Sequence, residues 1–395
     1  MSQGQALFTY IQHSSRHHSM RKWTALGPYS PNVLEGEFSE VELPLYGVLR
    51  SSDHARGLQP PCRYYGRMDG GDSSTGNSVG ETPLRDTQLT GGRATRHLDR
   101  HPQDQEWGHA HGPGADGIRL HYVRRGRGEP VVLLHGWPGF WYDWRRVIVT
   151  LGEEVDVVAL DFRGFGDSDK PEGDPKEVYA PERLAADVLA LLHHLGVGRF
   201  VATGHDTGAV IAQVLARRVP ERLSALALFN PPHSAIGEKP QEPGAQRESW
   251  YHHFHALPWS HELVGHNRDT IELYLRHFYD HWVGNKESVR PKEFEAIVDT
   301  FAQPGALGAS FGWYRATYEE ETGPSARATE GPILIPTVVR WGELDPVKPP
   351  SWAEGIEETF PNLDFRFVGG AGHFVPFEAP EETVAAVRTA LSMAR

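Results

Sequence analysis

The hydrophobic and polar positions take on a regular period near residue 117. GIRLHYVRRG and EPVVLLHG read as short strands parted by the turn GRGE (126–129). WYDWRRVIVTLG follows as a helix and DVVALDFRG as a buried strand. PERLAADVLALLHHLGV places Leu184, Val188, Leu191, Leu192 and Leu195 on one face, at the i, i+4, i+7, i+8 spacing of an amphipathic helix. Pro181 stands in its first turn and Gly196 closes it. RFVATGHD (199–206) is again a strand, TGAVIAQVLARRVP a helix and LSALALFNPP (223–232) a strand. This alternation predicts an α/β fold, a mostly parallel sheet with right-handed crossovers and helices on both faces. Between 233 and 332 the alternation stops, and the chain reads as helical and rich in His, Trp and Tyr, as in DTIELYLRHFYDHW. It returns with PTVVRWGELD, SWAEGIEETF, LDFRFVGG and APEETVAAVRTALSMA. Core segments 106–232 and 333–395 with a helical cap at 233–332, inserted after the sixth strand, are therefore expected.

Residues 1–105 have no such period. GRMDGGDSSTGNSVGETPLRDTQLTGGRATRHLDRH offers too little apolar surface to offset the entropy of ordering, so disorder is expected there. VELPLYGVL (41–49) is its strand-like piece. The eight histidines of residues 1–112 lack the fixed spacing that a metal site needs.

Charge narrows the range of partners. The chain holds 39 Lys+Arg against 52 Asp+Glu, and residues 1–105 are balanced at 11 of each, so the net −13 lies beyond them. A region this acidic repels phosphates, which argues against nucleic acid. The single cysteine, Cys62, has no internal disulfide partner and fits a reducing compartment. The start does not read as a secretory signal, and no run approaches 18 apolar residues. A cytoplasmic protein without a membrane span is expected.

Gly204-His205-Asp206-Thr207-Gly208 lies at a strand-to-helix junction, where a nucleophile elbow presents one side chain above the sheet. Here that side chain is a carboxylate, which attacks carbon without a base but leaves an ester that another group must hydrolyse. An ordinary Gly-rich turn with an aspartate helix cap would carry the same letters. Partners occur in the order that the chemistry requires: Asp345 in WGELDPVKP and His373 in GGAGHFVPFEAPEE, each following a strand. Groups at strand C-termini converge on one sheet edge. HGWPGFW (135–141) follows the strand PVVLL, and the Trp137 and Thr207 N–H groups would form a two-donor oxyanion hole. Trp137-Pro138 is a candidate cis bond. Phe140 and Trp141, which end this loop, are expected to contact substrate.

Together HGWPG, DFRGFGDSDKP, GHDTG, WGELDP and GHF resemble the epoxide hydrolase and dehalogenase branch of the α/β-hydrolase fold family, over about residues 115–395. The resemblance implies Asp206 as nucleophile, with Asp345 and His373 completing the triad. It implies no cofactor or metal and a small apolar epoxide as substrate. Within the branch, haloalkane dehalogenases carry tryptophan after the nucleophile, where this chain has Thr207, and many place the acid after the sixth strand, where Asn230 stands. Fluoroacetate-type dehalogenases carry arginines where this chain has Thr207 and Val210. Epoxide hydrolases use lid acids, generally two tyrosines. WYHHFHALPWSHELVG and FGWYR resemble the two segments that hold them, which points to Tyr251 and Tyr314; His252 or His253 is an alternative first donor. A hydrolytic dehalogenase on the same aspartate and a non-catalytic ligand-binding relative stay open.

Other motifs carry less. Gly308-Ala309-Ser310-Phe311-Gly312 spells G-x-S-x-G but follows no buried strand. His135 and His205 are expected to support backbone, and His193 and His194 to lie on a helix surface. His252, His253, His255, His261 and His266 lack a matching carboxylate pattern for a metal.

Overall fold

The computed structural model describes residues 101–322 and 331–395. The segment 1–100, with its strand-like piece 41–49, lies outside the described residues. Eight strands form one sheet: β1 (His109–Pro113), β2 (Arg119–Arg125), β3 (Pro130–Leu134), β4 (Asp156–Leu160), β5 (Phe200–His205), β6 (Leu223–Phe229), β7 (Thr337–Gly342) and β8 (Leu363–Val368). Their order is β1-β2-β4-β3-β5-β6-β7-β8. From β4 to β8 all neighbours are parallel, while β2 runs antiparallel to both β1 and β4. The central strands β4 and β6 are buried along their whole length, which is why they read as unbroken apolar runs.

Helices α1 (Arg145–Leu151), α2 (Pro181–His194), α3 (Thr207–Arg218) and α8 (Pro380–Met393) cover this sheet. On α2 the predicted stripe of Leu184, Val188, Leu191 and Leu192 is buried, and Leu195 at the C-cap is half-buried. Two elements differ from the periodic reading. Trp141–Trp144 forms a 3-10 turn ahead of α1. SWAEGIEETF is interrupted at Gly355, whose φ of 75° separates two short helical turns.

Strand β1, HAHGP, carries no apolar alternation and was not legible. It is an edge strand held by one partner, with His109 opposite Val123. Ordered packing also begins upstream of the expected boundary at 105. Asp104 caps a turn at Gln105–Trp107, Trp107 is buried against Trp141, and its indole N–H donates to His101 O at 3.1 Å.

The described residues between β6 and β7 include the helices α4 (Trp250–Ala256), α5 (Arg268–Trp282), α6 (Pro291–Phe301) and α7 (Ala306–Thr322). Buried polar contacts dock these helices on the sheet unit. Arg145 Nε of α1 donates to Glu293 Oε1 of α6 at 3.1 Å. The Tyr279 hydroxyl of α5 donates to Pro138 O at 2.8 Å, and Trp282 O accepts from His373 N at 2.8 Å.

Candidate active site

Strand β5 ends at His205 and α3 begins at Thr207, so one residue makes the turn. That residue is Asp206, at φ 50° and ψ −115°, a conformation that non-glycine residues rarely hold. The turn is tight enough to dictate its neighbours. A Cβ on Gly208 would lie 2.0 Å from Leu134 O, and one on Gly204 would lie 2.4 Å from Gly208 O. The spacing G-x-D-x-G is thus a packing requirement, and its result is a carboxylate raised over the sheet edge.

His373 Nε2 lies 3.7 Å from Asp206 Oδ1, and its Nδ1 lies 2.8 Å from Asp345 Oδ2. The carboxylate of Asp345 fixes the tautomer by accepting from Nδ1–H, leaving Nε2 toward the nucleophile. Asp345 Oδ1 accepts from the N–H groups of Val347 at 2.8 Å and Lys348 at 3.0 Å. Burial opposes ionisation of Asp345, but the His373 imidazole and its hydrogen bond outweigh burial and hold the carboxyl below its usual range. At Asp206 burial again opposes ionisation, and the Lys348 ammonium, then His373 and His205, overcome it. Asp206 is therefore an anion at neutral pH.

The opposite oxygen, Asp206 Oδ2, accepts from Trp137 N–H at 3.2 Å and from the Thr207 hydroxyl at 3.4 Å. Trp137-Pro138 is cis. Thr207 is the first residue of α3, where backbone N–H groups have no partner inside the helix. The Trp137 indole lies between the sheet edge and the cap: Tyr251 stacks on it at 5.6 Å and Tyr314 meets it edge-on at 5.6 Å. Tyr251 comes from α4 and Tyr314 from α7, with ring centroids 5.6 Å apart, and both are buried. A cavity of about 150 Å³ is lined by Asp206, both tyrosines, His252 and His253, with Pro232, Ile236, Val347 and Trp313 among its apolar walls. The His252 ring is 5.2 Å from that of Tyr314, while His253 Nδ1 pairs with the Tyr318 hydroxyl at 2.8 Å.

Phe140 and Trp141 correct the sequence reading. Neither lines the cavity, and both are buried in the core. Trp141 N–H donates to Asp161 Oδ1 at 2.9 Å, which turns its ring toward Trp107 and His109, and Phe140 stacks on Tyr142. His135 Nε2 accepts from Phe162 N–H at 3.2 Å, so its Nδ1–H donates to Gly136 O at 2.9 Å. Burial pushes the His205 imidazole down to about 3, and its neutral Nε2–H donates to His373 O at 2.8 Å. Ser310 is buried within α7, its hydroxyl donating to Leu307 O. His193 and His194 are exposed at the end of α2. Among the described residues no group of three or more His, Cys, Asp or Glu is placed to hold a metal ion, and no helix is long and apolar enough to cross a membrane.

Sequence reasoning missed three residues. Lys348 Nζ donates to Asp206 Oδ1 and to Asn230 O, each at 3.0 Å. Asn230, at φ 47° after β6, gives its amide N–H to Asp345 Oδ2 and accepts from Gly342 N–H at 3.3 Å. Glu378 accepts from the N–H groups of Gly372 and Phe374, which flank His373, and from Gly284 and Asn285. Lys348 had one signal, its place three residues after Asp345. Asn230 had one too, its place after the sixth strand where related enzymes carry the acid, and Glu378 had none.

The α/β-hydrolase fold family matches over residues 129–380. The soluble epoxide hydrolase of Corynebacterium sp. (strain C12) is 33% identical over 279 residues, 67% of this chain and 91% of that protein. Human epoxide hydrolase 4 is 31% identical over 273 residues, 67% of this chain and 73% of the relative. Among solved structures, the epoxide hydrolase CorEH without ligand superposes with a TM-score of 0.63 at 29% identity, covering 73% of this chain and 99% of its own. A mutant epoxide hydrolase from Bacillus megaterium, in complex with a diol product, has a TM-score of 0.63 at 26% identity, covering 72% of this chain and 100% of its own. The strained aspartate elbow, its histidine and acid, and these relatives agree: the chain belongs to the epoxide hydrolase branch of the α/β-hydrolase fold family.

Proposed function

We propose that this protein hydrolyses a small epoxide to a vicinal diol through an ester on Asp206. One observation carries the reading: a half-buried, ionised carboxylate at the elbow has His373 Nε2 3.7 Å away and lines one cavity with two buried tyrosines. An Asp206 oxygen forms a bond to an epoxide carbon, and the ring C–O bond breaks toward oxygen. That oxygen takes a proton from the phenol of Tyr314 or Tyr251, a hydroxyl able to donate to a developing alkoxide. His373 then accepts a proton from water as the water oxygen attacks the ester carbonyl. The N–H of Trp137 and the start of α3 stabilise the oxyanion, a contribution of about 10²–10³ in rate per donor. On collapse the leaving alkoxide regains the proton from His373, and the second water proton restores the phenol. Asp345 holds the imidazole and its charge throughout.

Single-turnover reaction with styrene oxide in ¹⁸O-water tests this. The expected result is a diol, with label entering the Asp206 carboxylate of the recovered protein. Diol formation without label in Asp206 would rule out the ester. Release of halide from haloalkanes with no diol from epoxides would select dehalogenation on the same aspartate.

A further inference from the structure

Lys348 is the one lysine or arginine that lines the cavity among the described residues, and its side chain is only 13% exposed. Its ammonium covers Asp206 Oδ1, at 3.0 Å. The other oxygen, Oδ2, is held by Trp137 N–H and the Thr207 hydroxyl, so Oδ1, on the His373 side, is the oxygen left to attack. This arrangement is awkward for a neutral epoxide. Alkylation would erase the carboxylate charge and leave a buried ammonium beside an ester, and an uncompensated buried charge is costly. A substrate that brings its own anion reverses the problem: the ammonium passes from Asp206 to the substrate, and charge stays balanced after the ester forms. The same ammonium offsets repulsion between that anion and Asp206.

We propose that Lys348 selects oxiranes bearing a carboxylate on a ring carbon, and that binding this carboxylate draws the ammonium off Asp206 Oδ1 and frees it to attack. Geometry sets the position of the anion. An attacked carbon lies about 3–3.5 Å from the nucleophile in a reactive pose. With Lys348 Nζ 3.0 Å from that nucleophile, a carboxylate bonded directly to the ring comes within its reach. The inference rests on the epoxide reading above and narrows its substrate.

The test compares 3-phenylglycidate with its neutral carboxamide, and uses styrene oxide to check epoxide opening itself. Wild type should favour the acid over the amide in kcat/KM by about tenfold to a hundredfold, the range of a hydrogen bond to a charged group. Lys348→Met should remove that preference, slowing the acid about tenfold to a hundredfold more than the amide. Lys348→Arg should retain it. Equal slowing of acid and amide in Lys348→Met would overturn the inference and leave Lys348 as a general support of Asp206. If Lys348→Met does not fold, the wild-type preference and its retention in Lys348→Arg decide. A wild type that opens styrene oxide but treats acid and amide alike overturns this inference alone. A folded wild type that opens none of the three overturns the epoxide reading, and the inference with it.

Discussion

The two walls of the cavity are built by different physics. On the sheet side, each member of the proposed triad is fixed by named hydrogen bonds: Asp206 by Trp137 N–H and Lys348, His373 by Asp345, and Asp345 by two backbone N–H groups and Asn230. On the cap side, Tyr251 and Tyr314 pack their rings around Trp137, Phe278 and His255. His255 shows the cap's manner, stacked at 3.7 Å on Phe311 and pairing with the Tyr274 hydroxyl at 2.7 Å. Directional bonds fix a reacting group within tenths of an ångström. Ring packing fixes shape and leaves the chemistry of the edge residues to vary.

The sharpest way to break the sheet side is His373→Gln. Ring opening should persist while ester hydrolysis falls by about 10²–10⁴, the usual share of a general base. Mass spectrometry of the intact protein should then find substrate bound covalently. An inactive variant that never gains substrate mass would contradict the division of labour. Next in size is the joint between the walls. Arg145→Met removes the partner of Glu293 in α6, which keeps Arg146 Nη2 at 3.2 Å. With that partner left, the loss should be near the lower end for a broken buried pair, about 3 kcal/mol in urea unfolding. A variant as stable as wild type would show that the cap docks by packing alone.

Tyr314→Phe probes the cap side. It should lower the alkylation rate about tenfold to a hundredfold, with ester hydrolysis largely unchanged. An unchanged alkylation rate, with His252→Ala blocking ring opening instead, would move the donor to that histidine. A further effect, read in stability and not in turnover, is expected behind the sheet edge. Burial pushes the Asp143 carboxyl up to about 8, and its Oδ1 is buried without a partner. The folded chain therefore holds a proton that the unfolded chain loses above about pH 4, so this group lowers stability as pH rises toward 8. Asp143→Asn should flatten that decline. Thermal melts at pH 5 and pH 8 that shift equally in the variant and wild type would refute it.

The same contrast explains what could be read from the letters. The elbow was legible because its close approaches exclude side chains, which fixes Gly204 and Gly208 around Asp206. Asp345 and His373 were legible because a parallel sheet gathers its strand ends on one edge. Lys348 escaped because its role comes from a side chain folding back on a residue 142 positions away. Phe140 and Trp141 were misread for a related reason. An aromatic residue beside a catalytic loop can face either the cavity or the core, and here a hydrogen bond to Asp161 decides for the core. Strand β1 was hidden because an edge strand of histidine and glycine has no apolar face to reveal it.

Glu378 couples the cap to the loop that holds His373. One carboxylate grips the N–H groups on both sides of His373 together with those of Gly284 and Asn285, just beyond the end of α5. Prising the two segments apart would strip several donors of their shared acceptor, at about 1–3 kcal/mol for each buried group left unsatisfied. That seam behaves as a rivet. Through it the backbone on either side of His373 is tied to the cap, so a displacement of either segment is transmitted to the other.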